Sequence, residues 1–397
     1  MVPFLAMQPD PQAIRQAVDA SYGSYLSDLE ATVSIDCGTY LPQGVNRVAD
    51  LMQERFEGSD WTVERRSHAG EAISEQLGDV VVARLQGGRT GGPHLLLIGH
   101  MDTVFPAGTP LKRPFTVDGD RAFGPGTSDM KGGLLAGYYA VRALQDVGFA
   151  DFGSITYVCN PDEEIGSPFS GPIILDLARS MSACFVLECG RENGNIVSAR
   201  KGVADVSVVI DGRAAHAGVE PQKGRSATLQ AAHTTIDLHA LNGRWPGVTV
   251  NVGVIRGGTR PNVVAERCEL EVDLRAETHA TFDEAMAEIE RTAKATVVSD
   301  VSVEIRTMSG FPPMEKSEAS AGLIRRVKEI AGELGFEVND QSTGGASDAN
   351  PVAALGIPTL DGLGPVGGGA HSREEWLDLS SVVPRVSMLA GLIASAH

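Results

Sequence analysis

Five side chains, far apart along the chain, are of the types that hold divalent cations: His100, Asp129, Glu164, Glu188 and His371. Imidazole nitrogens and carboxylate oxygens suit Zn²⁺ and its neighbours. Each follows a short apolar run or lies in a glycine-rich turn, where backbone can crowd an ion. Two imidazoles and three carboxylates suffice for two ions if one carboxylate bridges. The ions would bring four positive charges against three negative ones, so a bound hydroxide would complete neutralisation. Asp102 lies two residues after His100, and on extended chain both face the same side, so its carboxylate can orient the imidazole. Glu163 and Glu164 are adjacent and should diverge: one can bind metal while the other moves protons as a general base. Taken singly, each feature has an ordinary reading. A His-x-Asp pair is common, paired acids usually sit in a solvated loop, Glu188 could begin a surface turn, and His371 could be a loop tip. Their joint placement is what points to a metal site.

That placement comes from the elements around them. Apolar periodicity predicts helices over 11–34 and 45–56. Strands are expected at 79–85, 94–98, 154–159 and 183–187, with helices at 133–147 and 171–181 between them. Alternating strand, loop and helix is the pattern of an α/β sheet, whose ligands gather outside the carboxyl ends of the strands. Three such ends carry His100, Glu163-Glu164 and Glu188. Near Lys201 the texture changes to half-exposed alternation. Strands at 203–210, 248–255, 267–274 and 301–306 with helices at 228–241 and 281–298 give a βαββαβ order, which suggests a ferredoxin-like unit. It closes at Phe311-Pro312-Pro313, read as a hinge. The first texture then resumes with a helix at 318–334 and a strand at 357–360. The expected division is therefore 1–200 and 313–397 as one α/β domain, with 201–312 inserted into it.

A chain of 397 residues exceeds one ordinary core and also argues for two domains. Its 51 acidic residues outnumber 33 basic ones, for a net charge of −18, which disfavours nucleic acid and anionic membrane as partners. No apolar run is long enough to span a bilayer, and Met1–Asp10 lacks the regions of a signal peptide. The five cysteines have no paired spacing, so reduced thiols and a cytoplasmic location are expected.

Three stretches then resemble one family. His100-Met101-Asp102-Thr103-Val104, the run from Gly124 to Gly133 (GPGTSDMKGG) and Asp162-Glu163-Glu164-Ile165-Gly166-Ser167 are similar to the M20 family of zinc metallopeptidases and deacylases, nearest its glutamate carboxypeptidases. The runs Gly212 to Gly218 (GRAAHAG) and Gly257 to Asn262 (GGTRPN) extend the likeness into the inserted unit. The resemblance implies a mixed-sheet α/β zinc-exopeptidase domain with an inserted α+β lid that forms a homodimer interface. It implies two Zn²⁺ per subunit, with Co²⁺ or Mn²⁺ as alternatives. Asp129 would bridge, His100 and Glu188 would complete one site, and Glu164 and His371 the other. Glu163 would be the base and Asp102 the partner of His100, with a cis peptide at Asp129–Met130. His216 would stabilise an oxyanion from the partner subunit, although by residue type alone it reads as a solvated loop histidine. Arg275 would bind a substrate α-carboxylate with Asn262 nearby. It also shares a strand face with Glu269, Glu271 and Asp273, where a surface ion pair is the plainer reading. Gly345 and Ser347 fall where the family has a substrate loop, but here the loop reads Gly-Gly-Ala-Ser-Asp. Lys131 and Arg225 read as solvated cations.

The implied activity is hydrolysis of the amide bond before a C-terminal amino acid, on small N-acyl amino acids or peptides. The alternatives are a biosynthetic deacylase of the acetylornithine or succinyl-diaminopimelate type, and a catalytically silent binding relative.

Overall fold

The structure is a computed structural model that describes residues 8–68 and 76–396. The reading of Met1–Asp10 falls largely outside the described residues. The chain divides into two compact units. One comprises Met1–Ser198, Lys316–Ser342 and Leu355–His397, and the other Ala199–Glu315 with Thr343–Ala354. The segment 343–354 thus joins the second unit, not the first as the expected division has it. Its reason is local: Asn350 Nδ2 donates to Lys201 O at 3.1 Å and to Pro312 O at 2.8 Å, and Arg200 Nη1 donates to Gly345 O at 2.9 Å.

In the first unit, helix Pro11–Val33 starts where the Asp10 carboxylate accepts the Gln12 amide and Pro11 takes the first helical position, which has no amide to satisfy. Helices Pro42–Glu57, Gly132–Asp146, Ser170–Ala178, Glu318–Glu333 and Val382–Ser395 complete the main layers. They cover a six-stranded sheet in the order Thr62–Arg66, Val80–Gln86, Ser154–Asn160, His94–His100, Ala183–Val186, Thr359–Leu360. The sheet is mixed: the first two pairings are antiparallel, and the strands from Ser154–Asn160 onward run parallel. Parallel strands buried on both faces need continuous apolar runs, and Leu95, Leu96, Leu97 and Ile98 are all buried. A second sheet is made of the short strands Gly367–Gly368, Trp376–Asp378, Arg121–Phe123 and Thr116–Asp118.

The parallel register fixes where these strands end. His100 lies beside Asn160 across the parallel ladder, and Ile98 lies beside Val186. The chain segments that carry His100, Glu163-Glu164 and Glu188 therefore leave the sheet at the same end. Helix Gly132–Asp146 packs tightly against this edge. A Cβ on Gly133 would stand 1.7 Å from Leu187 O, so only glycine allows that approach.

The second unit is a four-stranded antiparallel sheet in the order Thr249–Gly257, Arg267–Ala276, Gly202–Asp211, Ser302–Phe311. With helices Ala227–His239 and His279–Lys294 it has the βαββαβ chain order. Val206, Val208, Ile210, Leu270, Val272 and Leu274 alternate onto the buried face and form a core of their own. The last strand ends at Phe311 because Pro312 and Pro313 have no N–H to continue the ladder.

Candidate metal centre

The first unit brings seven of the sequence-predicted residues together, His100, Asp102, Asp129, Glu163, Glu164, Glu188 and His371. The Asp129 carboxylate stands between two imidazoles: its Oδ1 is 3.1 Å from His100 Nε2 and its Oδ2 is 3.1 Å from His371 Nε2. Glu188 Oε1 lies 3.7 Å from His100 Nε2, and Glu164 Oε2 lies 3.1 Å from His371 Nε2. One donor atom each of His100, Asp129 and Glu164 falls within a 4.8 Å sphere of separations, and so does one each of His100, Glu163 and Glu188. Two ligands held about 2.0–2.2 Å from a tetrahedral ion stand roughly 3.3–3.6 Å apart. The observed separations of 3.1 and 3.7 Å lie within about 0.2 Å of that range.

The tautomer of His100 supports the same use. Its Nδ1 lies 3.0 Å from the Asp102 carbonyl oxygen, which can only accept, so Nδ1 carries the proton. In the neutral ring the Nε2 lone pair then faces Asp129 and Glu188, an arrangement that calls for a cation between them. Without one, the carboxylates hold protons on the imidazoles instead. Burial opposes protonation of His100, but Asp102 and Asp129 outweigh it and raise the ring well above its ordinary value. Hydrogen bonds to Asp129 and Glu164 push His371 up to about 10. Burial would raise Asp129, yet its hydrogen bonds to His100 and His371 prevail and lower it. Burial raises Glu164.

Asp102 is fully buried. Its carboxylate is 3.4 Å from His100 Nδ1, but it also takes a hydrogen bond from Thr39 Oγ1 at 2.6 Å. It further receives the amides of Glu163 and Glu164 at 3.3 and 3.4 Å. Asp102 therefore orients the imidazole largely through its backbone carbonyl, while its side chain fixes the turn that presents both glutamates.

Glu375 escaped the sequence reading. Its fully buried carboxylate receives the amides of Gly126, Ser128 and Asp129 at 2.8, 2.9 and 3.1 Å. Ser128 Oγ adds a fourth donor at 3.3 Å. Burial pushes this carboxyl up to about 7 against the lowering effect of those amides. Its strand, Trp376–Asp378, is too short for residue types alone to show that Glu375, Leu377 and Leu379 alternate inward. Lys131 corrects another reading. It is not solvated but fully buried, with Nζ donating to Pro125 O at 3.3 Å. The peptide Asp129–Met130 is cis.

The remaining predicted residues lie in the second unit. His216 is exposed, and its Nδ1 accepts the Gly218 amide at 3.2 Å. Asn262 lies alongside, its carbonyl accepting Ala217 N at 3.0 Å. Arg275 is half-buried and paired with Asp273 at 3.0 Å, the plainer reading of its strand face, while Nη1 donates to Gly344 O at 2.9 Å. Ser347 is buried, and its hydroxyl accepts the amide of Ala349 at 3.1 Å where a short helix begins. Arg225 pairs with Asp300 at 3.0 Å.

The model of the peptidase family M20/M25/M40 matches residues 96–395. The chain belongs to that family. It is 31% identical to carboxypeptidase G2 of Pseudomonas sp. (strain RS-16) over 395 residues, 98% of this chain and 93% of the relative. It is 26% identical to the acetylornithine deacetylase of Edwardsiella ictaluri (strain 93-146) over 322 residues, 76% of this chain and 80% of that one. Among solved structures, the M20 family metallo-carboxypeptidase Sso-CP2 from Sulfolobus solfataricus superposes with a TM-score of 0.74 at 16% identity, over 94% of this chain and 99% of that one. The M20 assignment makes the protein an enzyme, a metallopeptidase-type hydrolase of peptide or related amide bonds. Among the described residues, no helix is long and apolar enough to cross a membrane.

Proposed function

We propose that this M20 enzyme cleaves the amide bond before a C-terminal amino acid, on small N-acyl amino acids or peptides, with two Zn²⁺ per subunit. The observation that supports it is the Asp129 carboxylate, shared between His100 and His371 with Glu188 and Glu164 beside them. His100, Glu188 and Asp129 would hold one ion, and His371, Glu164 and Asp129 the other. When bound, the pair supplies Lewis-acid polarisation of the amide carbonyl and a lowered pKa for water.

The chain's own residues do the rest. Glu163 takes a proton from the attacking water on a carboxylate oxygen and returns it to the departing amide nitrogen. Asp102 sets the position of Glu163 through the peptide amide. Because His216 Nδ1 accepts a backbone hydrogen bond, its neutral ring carries the proton on Nε2. That N–H can donate to the developing oxyanion, reaching the site of a second copy in a dimer formed through 201–312. Arg275 would exchange its partner Asp273 for the free α-carboxylate of the released residue, with Asn262, Gly345 and Ser347 shaping the surrounding loops.

A second reading, N-deacylation, is favoured by the deacetylase likeness and describes the same bond from its other end. Steady-state kinetics on Glu163→Gln test the mechanism. The variant should keep wild-type metal content and lose about 10²–10⁴-fold in kcat. Near-normal turnover would remove Glu163 from the reaction.

A further inference from the structure

Of the five candidate ligands, His371 has the least scaffold of its own. The side chains of His100, Asp129, Glu164 and Glu188 are at most 15% exposed. His100 ends a strand of the parallel ladder. The Glu188 carbonyl accepts the Gly364 amide at 2.9 Å, and the Asp102 carboxylate accepts the Glu164 amide at 3.4 Å. His371 instead stands in a turn, at a φ of 62°, with its side chain 58% exposed. That turn closes on itself. Ser372 N and Oγ both donate to Gly369 O, at 3.1 and 2.7 Å, and Glu374 N donates to Ser372 Oγ at 3.2 Å.

A side chain from a distant segment reaches this turn. Arg113, which caps the short helix Thr109–Lys112, donates from Nη1 to Ser372 O at 2.8 Å. Its guanidinium carbon lies 4.6 Å from the centre of the Phe105 ring, a stacking that holds the planar fork in place. Nη2 is buried, makes no hydrogen bond among the described residues, and faces Glu375 Oε2 at 4.0 Å. Glu375 is already filled by the amides of Gly126, Ser128 and Asp129. The loop that carries Asp129 therefore does not depend on Arg113, whereas the His371 turn does.

We propose that Arg113 is a positioning residue: it clamps the His371 turn and so sets the affinity of the ion held by His371 and Glu164, leaving the ion at His100 and Glu188 alone. The proposal rests on the two-ion reading above. A hydrogen bond that fixes a metal ligand from behind is worth about 10–100-fold in metal affinity. Here that loss falls on one ion, while a general loosening of the fold would weaken both.

The test is Zn²⁺ competition against a chelator on the metal-free full chain, which reads both affinities, together with hydrogen exchange of residues 369–374 in the metal-free protein. Arg113→Met keeps the apolar stem and removes the charge and the donor. It should weaken one ion about 10–100-fold, leave the other within about twofold, and speed exchange of the Ser372 and Glu374 amides. Arg113→Lys keeps one donor for Ser372 O and should lie between. Added to His371→Ala, which marks the affected side, Arg113→Met should change the affinity of the remaining ion by no more than about twofold. If the wild type holds two ions and Arg113→Met weakens both alike or neither, the clamp is overturned and the two-ion reading stands. Fewer than two ions on the wild type would overturn that reading and the proposal with it.

Discussion

Replacing Glu375 should loosen the metal centre without touching a metal ligand. Its Oε1 accepts the amides of Ser128 and Asp129 and the Ser128 hydroxyl, and its Oε2 accepts the amide of Gly126. In Glu375→Ala three backbone donors lose a charged acceptor in a fully buried place. Each buried donor left unsatisfied costs about 1–3 kcal/mol. The expected loss is about 3–6 kcal/mol of stability. Glu375→Gln keeps an oxygen for the Ser128 and Asp129 donors but turns an NH₂ toward Gly126, so about 1–2 kcal/mol should be lost. Because the same loop carries Asp129, Zn²⁺ affinity should fall about 10–100-fold in the alanine variant. The assay is metal content across chelator-buffered Zn²⁺, with denaturant unfolding of the metal-free and metal-loaded forms. Wild-type affinity and wild-type unfolding in Glu375→Ala would refute the reasoning.

Other outcomes rest on single features. Lys316, Lys328 and Ser198 surround the Asp340 carboxylate; burial opposes its ionisation, but these donors prevail and hold the carboxyl down to about 2. A lowered carboxyl stabilises the fold above its ordinary value of 3.8 and loses that contribution as pH falls through about 2. With solvent screening, Asp340→Asn should cost about 1–2 kcal/mol at neutral pH, with roughly half of the deficit left near pH 3, read from denaturant midpoints across pH. An inactive Glu163→Ala protein refolded with an inactive His216→Ala protein should regain partial activity if His216 serves the site of a second copy. Mixed dimers without activity would contradict that role.

Much of this architecture was legible because parallel strands buried on both faces are written as uninterrupted apolar runs. Leu95 to Ile98 announces itself, and Ile155 to Cys159 is broken only by Thr156, and with them come the strand ends where His100 and Glu163 stand. What a run does not show is its neighbour, so the pairing of His100 with Asn160 had to come from the folded chain. Helix Val382–Ser395 was not anticipated. Ten of its fourteen residues are buried, so it lacks the one-sided stripe that marks a surface helix. The strands Gly367–Gly368 and Trp376–Asp378 are too short to show a period. Glu375 was hidden for that reason, and an acid beside another acid looks like solvent-facing loop. Lys131 misled in the same way, since a charged residue type does not show that the chain has folded around it. Asp102 was placed correctly beside His100, but whether its carbonyl or its carboxylate meets the ring depends on a turn of the backbone that residue types do not specify.

The most direct measurement is a crystal structure of the Zn²⁺-loaded protein with anomalous scattering recorded at the zinc edge. Two anomalous peaks per chain are expected, one among His100, Glu188 and Asp129 and the other among His371, Glu164 and Asp129, with Glu163 coordinating neither. A single peak, peaks away from Asp129, or a direct bond from Glu163 to an ion would contradict the account.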